Sequence, residues 1–279
     1  MAGPTPPRSP RTTQDREHER VMRDLRQQGQ AAATWGLPNP ATEAAVLGMG
    51  LIMRDRLTGR DDGRAADAAA LAARMLDKTI QKMPQAASVQ CARGCNFCCH
   101  SAVSVSAPEV FRITRLIAST AVPRAGLDSA AVVARAQART GPVLEAVLSR
   151  RAPCPLLIEG ECGVYEDRPM GCRQFISTNM DGCRSAFERG SGELPFVPAA
   201  ANAGLIVRSL LLGAAASIGL QAESYELSSA LAVALAQPDA EQRWLAGEDV
   251  LAGALKVPHA PNLQSSMQRW SGMLEQLFE

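Results

Sequence analysis

Over most of the chain the apolar positions recur at helical spacing. Ala72, Leu76, Ile80 and Met83 stand at i, i+4, i+8 and i+11, one face of a helix over about Arg64 to Met83 that Pro84 closes. Two helices precede it, a strongly charged one over about Gln14 to Ala33 and a second over about Ala41 to Leu57. Ser106-Ala107-Pro108-Glu109 reads as a capping box: the serine takes a free backbone N–H while the glutamate reaches back to another. Val110, Ile113, Leu116 and Ile117 then form the stripe of the helix it opens. A further helical stretch runs from Asp128 to Ser149, with an interruption at Gly141-Pro142. Leu227, Leu231, Ala234 and Leu235 share a face, and Leu263, Met267, Trp270, Leu274 and Leu277 follow the alternating spacing of a packing seam. Such a Met/Trp stripe reads as core or subunit contact rather than as a cofactor box.

Between Pro153 and Met180 this periodicity stops, and only short strands around Leu156–Ile158 and Gly163–Tyr165 fit the pattern. The expected fold is therefore mainly α, bundle-like, with a loop-rich cysteine-bearing insert and at most a short β-hairpin. Residues 1–13 read as a disordered leader, 14–84 as an N-terminal helical region, 85–190 as a cysteine-cluster metal-binding region and 191–279 as a C-terminal helical region. All are expected to pack as one globular unit.

Composition changes this picture little. With 46% hydrophobic residues in 279, a sizeable core is within reach, built mainly of Ala, Leu, Val and Ile because aromatics are only 4%. A formal net charge of +1 supplies no broad field for nucleic acid or acidic lipid. The N-terminal stretch lacks the apolar region of a secretory signal. Ala203 to Leu220 is long and apolar but carries Arg208 at its centre, which costs a few kcal/mol in a bilayer, so a buried helix is expected. The reading is a cytoplasmic protein with neither nucleic acid nor membrane as partner.

The chemistry lies in the thiols. All eight cysteines fall between Cys91 and Cys183, as Cys91, Cys95, Cys98, Cys99 and then Cys154, Cys162, Cys172, Cys183. Cytosolic thiols stay reduced, so such clusters bind metal or act catalytically, and a disulfide framework is disfavoured. Soft thiolates suit zinc and iron–sulfur centres, each typically taking about four protein ligands. Eight ligands leave open two sites, one shared polynuclear centre, or one site plus spare thiols. Cys98 and Cys99 are adjacent, and neighbouring side chains of an extended segment point to opposite sides, so the pair would feed two metals or straddle one cluster. Gly94, Gly160, Gly163, Gly171 and Gly182 supply freedom for tight ligand turns. Arg93, Arg168, Arg173 and Arg184 stand close enough in sequence to offset thiolate charge, or are ordinary surface arginines.

Other residues carry weaker signals. His100 follows the cysteine pair and would serve as a ligand, although a position beside the ligands or facing solvent is favoured. His18 and His259 read as surface residues. Tyr165 packs near the ligands or donates to a thiolate, and Glu166 and Asp167 suggest a local ion pair with Arg168. Gly48-Met49-Gly50 lacks the third glycine of a nucleotide loop and reads as a close helix contact. Any thiol left spare, Cys99 or Cys183, would be a nucleophile or redox switch. The spacing Cys91-x3-Cys95-x2-Cys98 also equals that of radical S-adenosylmethionine enzymes, but helical pattern precedes it and no strand–helix series follows.

Taken together, "CARGCNFCC", "VSVSAPEV" and "CPLLIEGECGVYEDRPMGCRQF" resemble the bacterial CxxCxxCC-type, YkgJ-like cysteine-cluster family, described as zinc- or iron-chelating domains and including flagellin lysine N-methylases. The resemblance covers about Cys91 to Phe175, with Cys183 as an extension, and leaves the flanking helices uncovered. It implies a bound zinc or iron and, for most members, no established reaction. The expected function is a metal-binding protein with a thiolate-ligated zinc or iron centre, iron–sulfur included, whose metal affinity would count as folding energy. The alternative is an iron–sulfur or iron-dependent enzyme, such as a protein lysine N-methyltransferase-like modifier, with a protein substrate; S-adenosylmethionine enters only there.

Overall fold

The computed structural model describes residues 13–35, 43–119, 126–139, 152–190 and 194–279. The expected leader (all but Thr13), the first residues of the second helix and the Gly141-Pro142 interruption lie outside the described residues. The chain is mainly helical, as its apolar spacing requires.

Helices α1 (Thr13–Trp35) and α2 (Glu43–Leu57) cross glycine on glycine. A Cβ on Gly48 would stand 2.1 Å from the Leu25 carbonyl oxygen, and one on Gly29 would stand 2.2 Å from the Gly48 backbone. The Gly48-Met49-Gly50 run is thus a close helix contact, since only a missing side chain lets the two backbones meet. Helix α3 (Arg64–Gln81) buries Ala72 and Leu76 on the expected face and gives way to a short 3-10 turn at Pro84–Ser88.

Strand β1 (Ser104–Ser106) runs directly into α4 (Ala107–Ala118). The Glu109 carboxylate closes the capping box, accepting the Ser106 N–H and hydroxyl at 2.8 Å each, while its other oxygen accepts the Met170 N–H at 2.8 Å. Helix α5 (Ser129–Arg139) follows, then a hairpin of β2 (Leu157–Ile158) and β3 (Glu161–Cys162) with Leu157 opposite Cys162. The second strand lies before the expected Gly163–Tyr165, because the loop has only Glu159 and Gly160. Both adopt positive φ, 51° and 81°, the turn that matches strand twist.

Beyond the hairpin come α6 (Met170–Gln174), α7 (Met180–Arg189), α8 (Pro198–Ala216), β4 (Ser224–Glu226), α9 (Leu227–Leu235), α10 (Ala240–Leu245), β5 (Lys256–Val257) and α11 (Pro261–Gln276). Strands β1, β4 and β5 form a small antiparallel sheet, Val105 opposite Tyr225 and Ser224 opposite Val257. Its strands have two or three residues each, too few for alternation to show in the sequence.

Helix α8 is long and apolar enough to cross a membrane by length and composition, and 61% of it is buried inside the protein. It packs on α2, α3, α6 and α11. The Met/Trp stripe of α11 is core: Trp270 and Leu274 are buried, and Gly213 of α8 leaves room for the Met267 carbonyl and the Trp270 Cβ. One apolar core draws on helices from both sides of the cysteine segment, with Trp244 edge-on to Phe111 at 5.7 Å between ring centroids.

Candidate metal centre

Four stretches of chain carry the thiols, and main-chain hydrogen bonds lace them together. Gln90 N–H donates to Ser177 C=O at 2.9 Å, and the Gln90 side-chain oxygen accepts the Met180 N–H at 2.6 Å. This ties the Cys91 segment to the start of α7, which carries Cys183. Gly94 takes φ 91°, a left-handed turn that few other residues allow. Asn96 donates to Gly160 C=O at 3.0 Å, and Cys154 N–H to Cys99 C=O at 2.8 Å, so the hairpin is held against the CC pair. Glu109 anchors the N-terminus of α6, which carries Cys172. Phe187 of α7 stacks on His100 and Phe97 at 4.7 and 5.8 Å, holding α7 on the 3-10 turn Phe97–His100.

All eight cysteines are free thiols, each partly buried. Electrostatically they divide in two. Cys91 feels Cys95, Cys98 and Cys183, and Cys95 feels Cys98 and Cys183. Cys99 feels Cys154 and Cys172 besides its neighbour Cys98, and Cys172 feels Cys154, Cys98 and Cys162. Thus Cys91, Cys95 and Cys183 form one group, Cys99, Cys154, Cys162 and Cys172 the other, and Cys98 stands between them. The adjacent pair lies in the 3-10 turn Phe97–His100, not in an extended segment, and the Cys99 thiol hydrogen-bonds to Cys98.

Burial is the first cause that raises Cys91, Cys95, Cys162 and Cys172 above the ordinary thiol range, and it pushes Cys154 up to about 12. Thiol repulsion adds to it. The exception is Cys98, held down at about 7 by a hydrogen bond from Cys99, whose own proton is correspondingly harder to remove. Backbone N–H groups oppose the burial effect: those of Phe97, Leu156 and Val164 face the sulfurs of Cys95, Cys154 and Cys162, each two residues on, and Ser177 N–H reaches Cys91 Sγ at 3.1 Å. Peptide donors aimed at sulfur stabilise thiolate and leave its remaining lone pairs for a cation.

The arginines sort themselves by position. Arg168 lowers Cys98, Cys162 and Cys172, and Arg93 lowers Cys162; both stack on Tyr165, at 4.1 and 4.9 Å. Tyr165 is therefore packing for these cations. Arg173 instead pairs with Asp77 and binds the Arg168 carbonyl at 2.7 Å, and Arg184 sits at the surface 3.8 Å from Asp181. The expected Arg168 ion pair is replaced: Glu166 pairs with Arg93 at 3.0 Å and Asp167 with Arg112. Of the five loop glycines only Gly94 and Gly160 have left-handed backbone. His100 Nδ1 lies 3.3 Å from the Asn96 carbonyl, a place beside the thiols. His18 is exposed, but His259 is half-buried with Nε2 3.0 Å from Ser224 Oγ, contrary to the surface position expected from sequence, because it meets Ser224 of β4.

Sequence reasoning missed Arg139, which is buried, binds the carbonyls of Ala152 and Cys99 at 2.7 and 3.3 Å and lowers Cys154. It faces Glu226 at 3.9 Å. Nothing in its local spacing signals this, since its partners lie far away in sequence. Beside the first thiol group opens a cleft of about 640 Å³, lined by Cys91, Cys95, Cys98, Cys172 and Cys183 and by phenylalanine rings.

As the side chains stand, no three or more His, Cys, Asp or Glu among the described residues form a ready-made cage for an ion. The donor chemistry fits one nonetheless: two neighbouring thiol groups, peptide N–H groups facing four of the sulfurs, and two arginines to offset surplus negative charge. Neither the curated proteins nor the solved structures show a match to the chain. Residues 90–188 match the family model CxxCxxCC, described as "Putative zinc- or iron-chelating domain", so the match extends through Cys183. Over residues 90–188, about a third of the chain, the thiol segment is thus similar to a zinc- or iron-chelating domain of the CxxCxxCC family.

Proposed function

We propose that the eight cysteines bind zinc or iron in two neighbouring sites that share Cys98. Cys91, Cys95 and Cys183 would hold one ion, Cys99, Cys154, Cys162 and Cys172 the other, and Cys98 would bridge the two. The observation that carries this is the electrostatic division of the thiols into two groups, with Cys98 facing both. Burial opposes thiolate at most of these positions, and a cation supplies the charge that reverses the preference. Arg93 and Arg168 then act as hydrogen-bonding and electrostatic counterweights. A cytoplasmic location, where thiols stay reduced and available to metal, goes with this reading.

A second reading is an iron-dependent or iron–sulfur enzyme that modifies another molecule. The cleft opening onto the first group favours it, because a centre with an accessible side can take a substrate. One experiment separates the two: anaerobic purification with elemental analysis, a visible spectrum and an assay of acid-labile sulfide. A colourless protein with about two zinc ions per chain supports the first reading. A brown protein containing sulfide supports the second, and a reduced, metal-free protein indifferent to chelators overturns both.

A further inference from the structure

The cleft has a floor that the thiols do not explain. Arg208 of α8 lines it, and among the described residues its hydrogen bonding consists of one contact, to Ser104 Oγ at 2.9 Å. No carboxylate among the described residues pairs with it. Glu109 attracts it from beyond contact, but both Glu109 oxygens are already engaged by Ser106 and Met170. Its other guanidinium donors have no protein acceptor among the described residues and are not sealed from the cleft, so an anion there can pair with them.

One helical turn earlier on α8 lies Gly204, and the Gln174 amide rests directly against it; a Cβ there would stand 2.1 Å from Gln174 Oε1. Residues four apart share a helix face, so the Gln174 amide and the Arg208 guanidinium are neighbours along the same wall. Gln174 also lines the cleft, and its Oε1 is buried without a hydrogen-bond partner among the described residues. It offers an acceptor that lacks a donor. Four phenylalanines also line the cleft: Phe97 and Phe187 are partly buried, while Phe175 and Phe196, each over 40% exposed, meet edge-on at 5.2 Å. A pocket with an apolar wall and a few converging polar groups is the form small-molecule sites take.

We propose that this cleft binds a small organic carboxylic acid: the acid group pairs with Arg208, an N–H or O–H donor reaches Gln174, and an apolar body lies among the phenylalanines. Bound so, the molecule would lie beside Cys91, Cys95, Cys98, Cys172 and Cys183. The inference depends on the cleft and not on which metal the thiols hold.

The test is isothermal titration of the full chain, with metal content measured in every sample. The probes are N-acetylphenylalanine, its uncharged amide, and inorganic phosphate. The acid should bind, and the amide and phosphate should each bind at least about tenfold more weakly, since each lacks one half of the recognition. Arg208→Gln should weaken the acid about thirtyfold or more, Arg208→Lys less, and Gln174→Leu should fall between wild type and Arg208→Gln. Thermal midpoint and metal content should stay unchanged. Equal affinity for acid and amide, unaltered binding by Arg208→Gln, or no binding of the acid at millimolar concentration overturns the proposal. Phosphate binding as tightly as the acid reduces the cleft to a plain anion site and overturns it too. If Arg208→Gln fails to fold, the acid–amide comparison and Gln174→Leu decide. A metal-free protein that still binds the acid removes only the metal reading.

Discussion

Replacing one sulfur at a time should reveal whether the thiols act as two sites. Cys183 neighbours only members of the first group, whereas Cys154 neighbours only members of the second, and Cys98 touches both electrostatically. Structural zinc sites contribute about 10–16 kcal/mol, so one of four equivalent thiolates carries roughly 3 kcal/mol, or about two orders of magnitude in affinity. Serine keeps the shape of cysteine and lacks its softness, so Cys183→Ser should loosen one ion by that factor and leave the other. Cys154→Ser should do the same to the other ion, and Cys98→Ser should weaken both. The assay is anaerobic titration with zinc or ferrous ion against a chromophoric chelator, checked by elemental analysis. If Cys183→Ser and Cys154→Ser each strip all metal, the thiols form one indivisible centre and the partition is wrong. If Cys183→Ser binds as wild type does, Cys183 is not a ligand.

Glu109→Gln should destabilise the fold by about 2–4 kcal/mol, because a charge that accepts three hydrogen bonds is replaced by an amide with one acceptor oxygen; denaturant unfolding measures this, and a loss below about 0.5 kcal/mol refutes the role given to the carboxylate. The metal-stripped protein should lose stability as pH rises from 9.0, the ordinary thiol value, toward about 12. In that window the unfolded Cys154 releases its proton while the folded one keeps it, so rising pH favours the unfolded chain. Cys154→Ser should flatten this slope in thermal melts at stepped pH, and an unchanged slope counts against the burial of that thiol. Metal-loaded protein should show the opposite trend at lower pH, its affinity rising as thiols deprotonate.

Helices with a long apolar face were readable because burial against a core imposes a period, as α3, α4 and α11 show. The β1–β4–β5 sheet was not, since each strand passes into a turn or a helix before alternation can repeat. The candidate ligands could be named from residue type and spacing alone. Their division could not, because Cys183 joins the first group through α7 folding back on Phe97–His100, a contact no local pattern encodes. Arg208 was visible only as an argument against a membrane span; its place on the cleft floor comes from α8 lying along α6. Arg139 and Glu226 meet across the fold and were invisible for the same reason.

The hydrogen bonds from Gln90 to Ser177, from the Asn96 side chain to Gly160 and from Cys154 to Cys99 run from one sulfur-bearing segment to another without passing through sulfur. An ion released toward the cleft therefore leaves behind arms still stapled to one another. If an ion sits there, its loss would break metal–sulfur bonds one by one without melting the scaffold, so the emptied protein would keep the shape needed to be refilled.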